Sequence, residues 1–353
     1  MPLNSIPPTT TVANLLVKQE EARRIGTHSD ISFWGGIVPG NESELVPLLD
    51  AGVKGFKCFL INSGVDEFPH VTERDLVKAC DALKGTNAVI LFHAELEEHE
   101  HEHLSESQTD PSAYATFLAS RPASLELSAL DLILKLARSY RHLRFHIVHL
   151  SAASALPRIR DARTDGINNL TVETCFHYLC LQAEHIPSNA TEFKCCPPIR
   201  NNANRQLLRQ GVLDGTIDYV VSDHSPCIPE LKKGDFMRAW GGVSGLGLGL
   251  SLLWTEFRGE VGLERITSWL SSAQAAQVGL EGRKGELRTG ADADFVVFRP
   301  DERYTVTRDH LLFKNKVSPY IGRELHGQIV QTWLRGRQVW DGKRTLPLTG
   351  TFV

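Results

Sequence analysis

Four residues of unlike type stand at equivalent places, at or near the end of a short apolar run. Lys57 lies in GVKGFKCFL, His93 ends AVILFHA, His149 ends RFHIVHL and Asp223 ends IDYVVSDH. An ammonium is among the costliest groups to bury unpaired. A lysine set among Phe56, Cys58, Phe59 and Leu60 is therefore either turned outward or chemically altered. Taken singly, Lys57 reads as a snorkelling surface residue, His93 or His149 as a hydrogen-bonded core histidine, and VSDHS as a helix start. Taken together they form a convergent set of metal-ligand character. A buried lysine near cations gives up its proton readily. Its neutral amine can add carbon dioxide, and the carbamate so formed is an anionic two-oxygen ligand able to bridge two metal ions.

Other histidines are weaker candidates. His99, His101 and His103 alternate with Glu97, Glu98, Glu100 and Glu102, which reads as an exposed acidic segment. His146 lies inside its strand and reads as core. His177, in ETCFHYL, receives no role.

The elements that must place these residues alternate. Strand-like runs at 31–36, 55–60, 88–94, 144–150, 169–175 and 217–224 are separated by helical patterns. Helices are expected at 11–25, 42–51, 72–83, 124–137, after the fourth strand to 163, and at 204–213, 247–257 and 263–278. Runs apolar on both faces and alternating with helices indicate α/β architecture with a parallel sheet. Polar residues gathered at strand ends point to a (β/α) barrel, whose sites lie at the C-terminal ends of its strands. A closed barrel of that type has eight strands, and this pattern supplies six. The tail changes character: 295–300, 328–336 and 337–342 read as hairpin-forming strands. The expected division is a barrel over 1–282 and part of a small β-sandwich over 283–353.

Composition excludes several classes. The chain has 353 residues and net charge −4, with no Lys/Arg-rich stripe to suggest nucleic acid as the main partner. No run approaches the ~20 apolar residues of a membrane span. The opening MPLNSIPPTTT is not a signal peptide. Seven cysteines without a CxxC suggest free thiols and a cytoplasmic protein.

With these residues in place, the chain resembles the amidohydrolase superfamily, and within it the allantoinases. GFKCFL, SGVDEFPHV (63–71), ILFHAE, HIVHLS, ETCFHYL, KCCPPIR (194–200), VVSDHSP and WGGVSGL (240–246) follow in that family's order, and KGELRTGADADFVVF (284–298) resembles the strand returning to its β-sandwich. The resemblance implies a metal-dependent-hydrolase (β/α)8 TIM barrel and a binuclear centre of two divalent ions, zinc before others. In it the carbamate of Lys57 bridges the metals, His93 and His149 bind one, and Asp223 binds the other and moves a proton. It places Cys196 and Ser244 where relatives contact substrate through backbone groups. The implied substrate is a small molecule, allantoin, opened to allantoate in purine degradation, and the implied assembly is a homotetramer. The rival readings are another cyclic amidase (hydantoinase, dihydropyrimidinase or dihydroorotase) and a non-catalytic protein of this fold. One departure stands out. The family's first strand ends in His-x-His, whereas the only histidine upstream of Lys57 is His28. The expectation is a barrel missing its first two strands, with a metal site short of two ligands that binds one ion poorly or not at all.

Overall fold

The computed structural model describes residues 5–97 and 110–353. The His99–His103 cluster lies outside the described residues. Six parallel strands form one sheet in the order β1 (Gly35–Gly36), β2 (Phe56–Phe59), β3 (Val89–His93), β4 (Arg144–Val148), β5 (Leu170–Cys175) and β6 (Tyr219–Val221). Each strand neighbours the next in sequence, so the order in space is the order in the chain. Among the described residues β1 and β6 each have one strand neighbour. A second, antiparallel sheet is built from β7 (Phe295–Thr305), β8 (Glu324–Leu334) and β9 (Arg337–Trp340).

Helices fill the crossovers: α1 (Val12–Ile25) before β1, α2 (Leu45–Asp50), α3 (Glu73–Ala82), α4 (Tyr114–Ala119) with α5 (Ala123–Ser139), α6 (Leu156–Thr164), α7 (Phe176–Cys180) with α8 (Asn202–Leu213), then α9 (Gly249–Phe257), α10 (Leu263–Thr267) and α11 (Ala273–Gln277). Local chemistry sets their ends. Thr72 and Asp75 close a reciprocal capping box on α3, and Thr11 caps α1 through the Asn14 amide. Pro47 falls in the first turn of α2, where the helix asks for no amide donor.

The sheet is buried on both faces. Phe56, Ile90, Phe92, Phe145, Ile147 and Val172 face the helices and belong to the main core. The opposite face carries Trp34, Val89, Leu91 and Val148, together with the polar residues. Register lines these up in rungs: Lys57 pairs with Leu91, Leu91 with His146, and His146 with Thr171, while Phe59 pairs with His93 and His93 with Val148. A period of two therefore puts Lys57 and His93 on the inner face beside residues from two other strands.

Two expectations need correction. The strand expected over 31–36 contributes only Gly35–Gly36 to the sheet, because Ile31 bridges Phe352 near the C-terminus instead. The helix expected over 263–278 is broken by a π-helical turn at Ser268–Ser272. The fifth strand ends at Cys175 as expected, and the chain turns at once into the buried helix α7. The seven cysteines are free, as expected.

Candidate active site

The sheet's inner face opens into a cavity of about 1680 Å³, lined by Lys57, His93, His149, Cys196 and Asp223 among others. Sequence reasoning thus named residues from four different strands that the fold brings to one place. Lys57 is 8% exposed, and its Nζ sits 4.5 Å from the Phe59 ring centroid. Phe59 stacks on His93 at 5.1 Å, and His93 meets His149 edge-on at 4.6 Å between centroids. Ser244 is buried beside the cavity without lining it; its carbonyl accepts a hydrogen bond from Ser318 Oγ at 2.5 Å.

Backbone shape at this end of the sheet is unusual. His149 and Asp223, each just beyond its strand, have φ of 44° and 41°. Non-glycine residues rarely adopt this left-handed region, and where they do the surroundings hold them there.

Burial governs the protonation states. Desolvation lowers Lys57 toward its neutral form, against the pull of the Asp223 carboxylate. It also holds His93 and His149 well below the usual imidazole value, and the lysine charge adds to this. Asp223 is pushed up to about 6 by desolvation, opposed by Lys57 and helped by Glu173.

Several residues were given no site role by sequence reasoning. Glu95 Oε2 accepts from His93 Nε2 at 2.6 Å and from Arg121 Nη1 at 2.6 Å, with Glu95 fully buried. This bond assigns the proton to His93 Nε2 and leaves Nδ1 as the electron-pair donor. His146, read as core, is buried with polar partners: Thr171 Oγ1 at 2.7 Å, Tyr219 Oη at 3.0 Å and Glu173 Oε2 at 3.1 Å. Lys232 directs its ammonium at four carbonyls, those of Thr191, Lys194, Trp240 and Gly242, at 2.7–3.3 Å. It thereby gathers two loops at the cavity wall. At Gly242, φ is 157° and a Cβ would lie 2.5 Å from the Ser225 carbonyl oxygen, so only glycine lets the loop after β6 close. Cys175 and His177 lie close to Asp223. The signal for them was the Cys-x-His spacing at a strand end.

The residues present suit a divalent cation. His149 Nδ1 is buried without a hydrogen-bond partner, a neutral imidazole is the metal-binding form, and an imidazole–carboxylate set suits zinc-like ions.

Comparison with known proteins bears on the family. A profile of the amidohydrolase family matches residues 6–339. The allantoinase of Streptomyces avermitilis is 47% identical over 350 residues, covering 98% of this chain and 77% of that protein. The allantoinase of Saccharomyces cerevisiae is 44% identical, covering 100% of this chain and 77% of that protein. Among solved structures, the L-hydantoinase (dihydropyrimidinase) of Arthrobacter aurescens superposes with TM-score 0.90 at 27% identity, over 98% of this chain and 78% of that one. A profile match spanning nearly the whole chain, joined to relatives this similar, means that the chain belongs to the amidohydrolase family.

Proposed function

We propose that this chain hydrolyses the cyclic amide of allantoin to allantoate. The observation that carries the reading is the meeting of Lys57, His93, His149 and Asp223 in one cavity, in a chain 47% identical to an allantoinase. The six-stranded sheet is read as belonging to a (β/α)8-type barrel, and the antiparallel sheet as part of a small β-sandwich.

Two divalent ions, zinc before others, held by His93, His149, Asp223 and the carbamate of Lys57, would supply Lewis acidity toward the ring carbonyl and toward water. The chain's own groups do the rest. The low proton affinity of Lys57 keeps its amine able to take up carbon dioxide. Glu95 fixes the ring of His93, and Arg121 fixes Glu95. Asp223, lining the cavity, is the carboxylate assigned to take a proton from water. Water oxygen joins the ring carbonyl carbon, the carbon–nitrogen bond breaks, and Asp223 returns the proton to the departing nitrogen. Backbone groups at Cys196 and Ser244 are assigned to holding the substrate ring.

The test is turnover of allantoin, hydantoin, dihydrouracil and dihydroorotate by purified, metal-supplemented protein. Allantoate formed in preference to the other ring-opened products supports the reading. Preference for dihydrouracil or hydantoin would replace it with the dihydropyrimidinase-type reading that the structural neighbour favours.

A further inference from the structure

Cys175 closes β5, His177 follows two residues later in α7, and Asp223 follows β6. One possible ligand atom of each, the Cys175 Sγ, a His177 ring nitrogen and an Asp223 carboxylate oxygen, lies within 4.8 Å of the other two. Cys175 and His177 are 0% exposed. Both ring nitrogens of His177 lack a hydrogen-bond partner. A neutral imidazole carries one donor and one acceptor, and leaving both unmet in the interior is unfavourable. The ring's aromatic neighbour, Tyr178 at 4.2 Å, meets it edge-to-face and satisfies neither nitrogen. Among the described residues, then, no group uses the polarity of the His177 ring.

We infer that Cys175, His177 and Asp223 form a metal site of the zinc class, reached from the cavity through Asp223. The inference goes beyond the hydrolytic reading and needs no substrate. One sulfur, one nitrogen and one oxygen donor suit a borderline ion such as zinc or cobalt and disfavour magnesium or calcium. Three protein ligands leave a fourth position on a tetrahedral ion. Ligands at about 2.0–2.3 Å from zinc stand roughly 3.5 Å apart, so side-chain movements of about 1 Å close the set. As the metal–sulfur bond forms, the Cys175 thiol proton passes to solvent. Asp223 is the residue common to this cluster and to the set named from the sequence. The contrasting carboxylate group, Asp30, Asp292 and Asp294, is already ion-paired: Lys284 Nζ lies 2.5–2.9 Å from all three, Arg335 pairs with Asp30 and Arg283 with Asp292.

The test is titration of the full, chelator-treated chain with cobalt(II), read by near-ultraviolet absorption for thiolate-to-cobalt charge transfer and by metal content. Wild type is expected to show the band. Cys175→Ser should lose it while still folding, as judged by circular dichroism, and Cys196→Ser should keep it. His177→Gln should retain some band with at least tenfold weaker zinc affinity in a competition assay. If Cys175→Ser fails to fold, the His177→Gln affinity decides the matter. A band unaffected by either substitution at 175 or 177, or cobalt bound without a thiolate band, overturns the site. Allantoin turnover separates the two readings: a band without turnover leaves this site standing, and turnover without a band removes it alone.

Discussion

His149 and Asp223 lie on loops after different strands, yet both turn into the same cavity through a left-handed backbone, with φ of 44° and 41°. Of the four residues first singled out, these two depend on loop shape, whereas Lys57 and His93 sit within regular strands. That division shapes what substitution should do.

Asp223 carries a measurable linkage. In the folded, metal-free chain burial raises it from 3.8 to about 6. A carboxyl raised on folding favours the folded state when protonated and opposes it when ionised, so this contribution to stability falls as pH rises from about 4 through 6. About two pKa units correspond to at most ~3 kcal/mol. Asp223→Asn should therefore unfold at higher urea than wild type at pH 8 with chelator present, and the gap should close near pH 4. The same substitution should abolish turnover.

Lys57→Ala should lower kcat/KM about a thousandfold or more, with partial recovery on adding formate, acetate or propionate, whose carboxylates can replace a carbamate. Lys57→Ala should also be no less stable than wild type by thermal melting, since it removes a desolvated amine. Unchanged turnover would remove Lys57 from the site.

Glu95→Gln keeps an acceptor for His93 but leaves Arg121 without its charged partner. The expectation is metal affinity reduced about 10–100-fold, as for other groups that orient metal-bound histidines, with kcat lowered more than KM is raised. Dialysis against graded chelator followed by metal analysis checks this.

Lys232→Met strips the ammonium from four carbonyls at the cavity wall. A loss of about 2–4 kcal/mol is expected, with KM rising more than kcat falls because the wall loosens while Asp223 keeps its place. Urea unfolding and steady-state kinetics on the same preparation separate the two effects.

Much of the frame was legible because its signals are local. Apolar runs such as AVILFHA and RFHIVHL are short and lie between helical patterns, and their period of two fixes which residue faces inward. The meeting of Lys57, His93, His149 and Asp223 followed from strand ends alone. What escaped was either too short or too distant to leave a local signal. Helix α7 has five residues and no side-chain cap on its amides, so nothing announces it. Arg121 lies 26 residues from Glu95, and Lys232 lies 41 from Thr191. Ile31 leaves the first strand for a partner near the C-terminus, which no window on residues 31–36 could contain.

Asp30 ties together Lys284, Arg335 and Thr351. Burial alone would raise its carboxyl, but hydrogen bonds from Arg335, Lys284 and the Thr351 amide draw it down to about 2. Its partner Arg335 lies 305 residues later. At synthesis speeds of about 5–20 residues per second, a nascent chain would hold Asp30 without that partner for roughly 15–60 seconds. During that interval the segment around Ile31 also lacks the bridge that Phe352 later supplies.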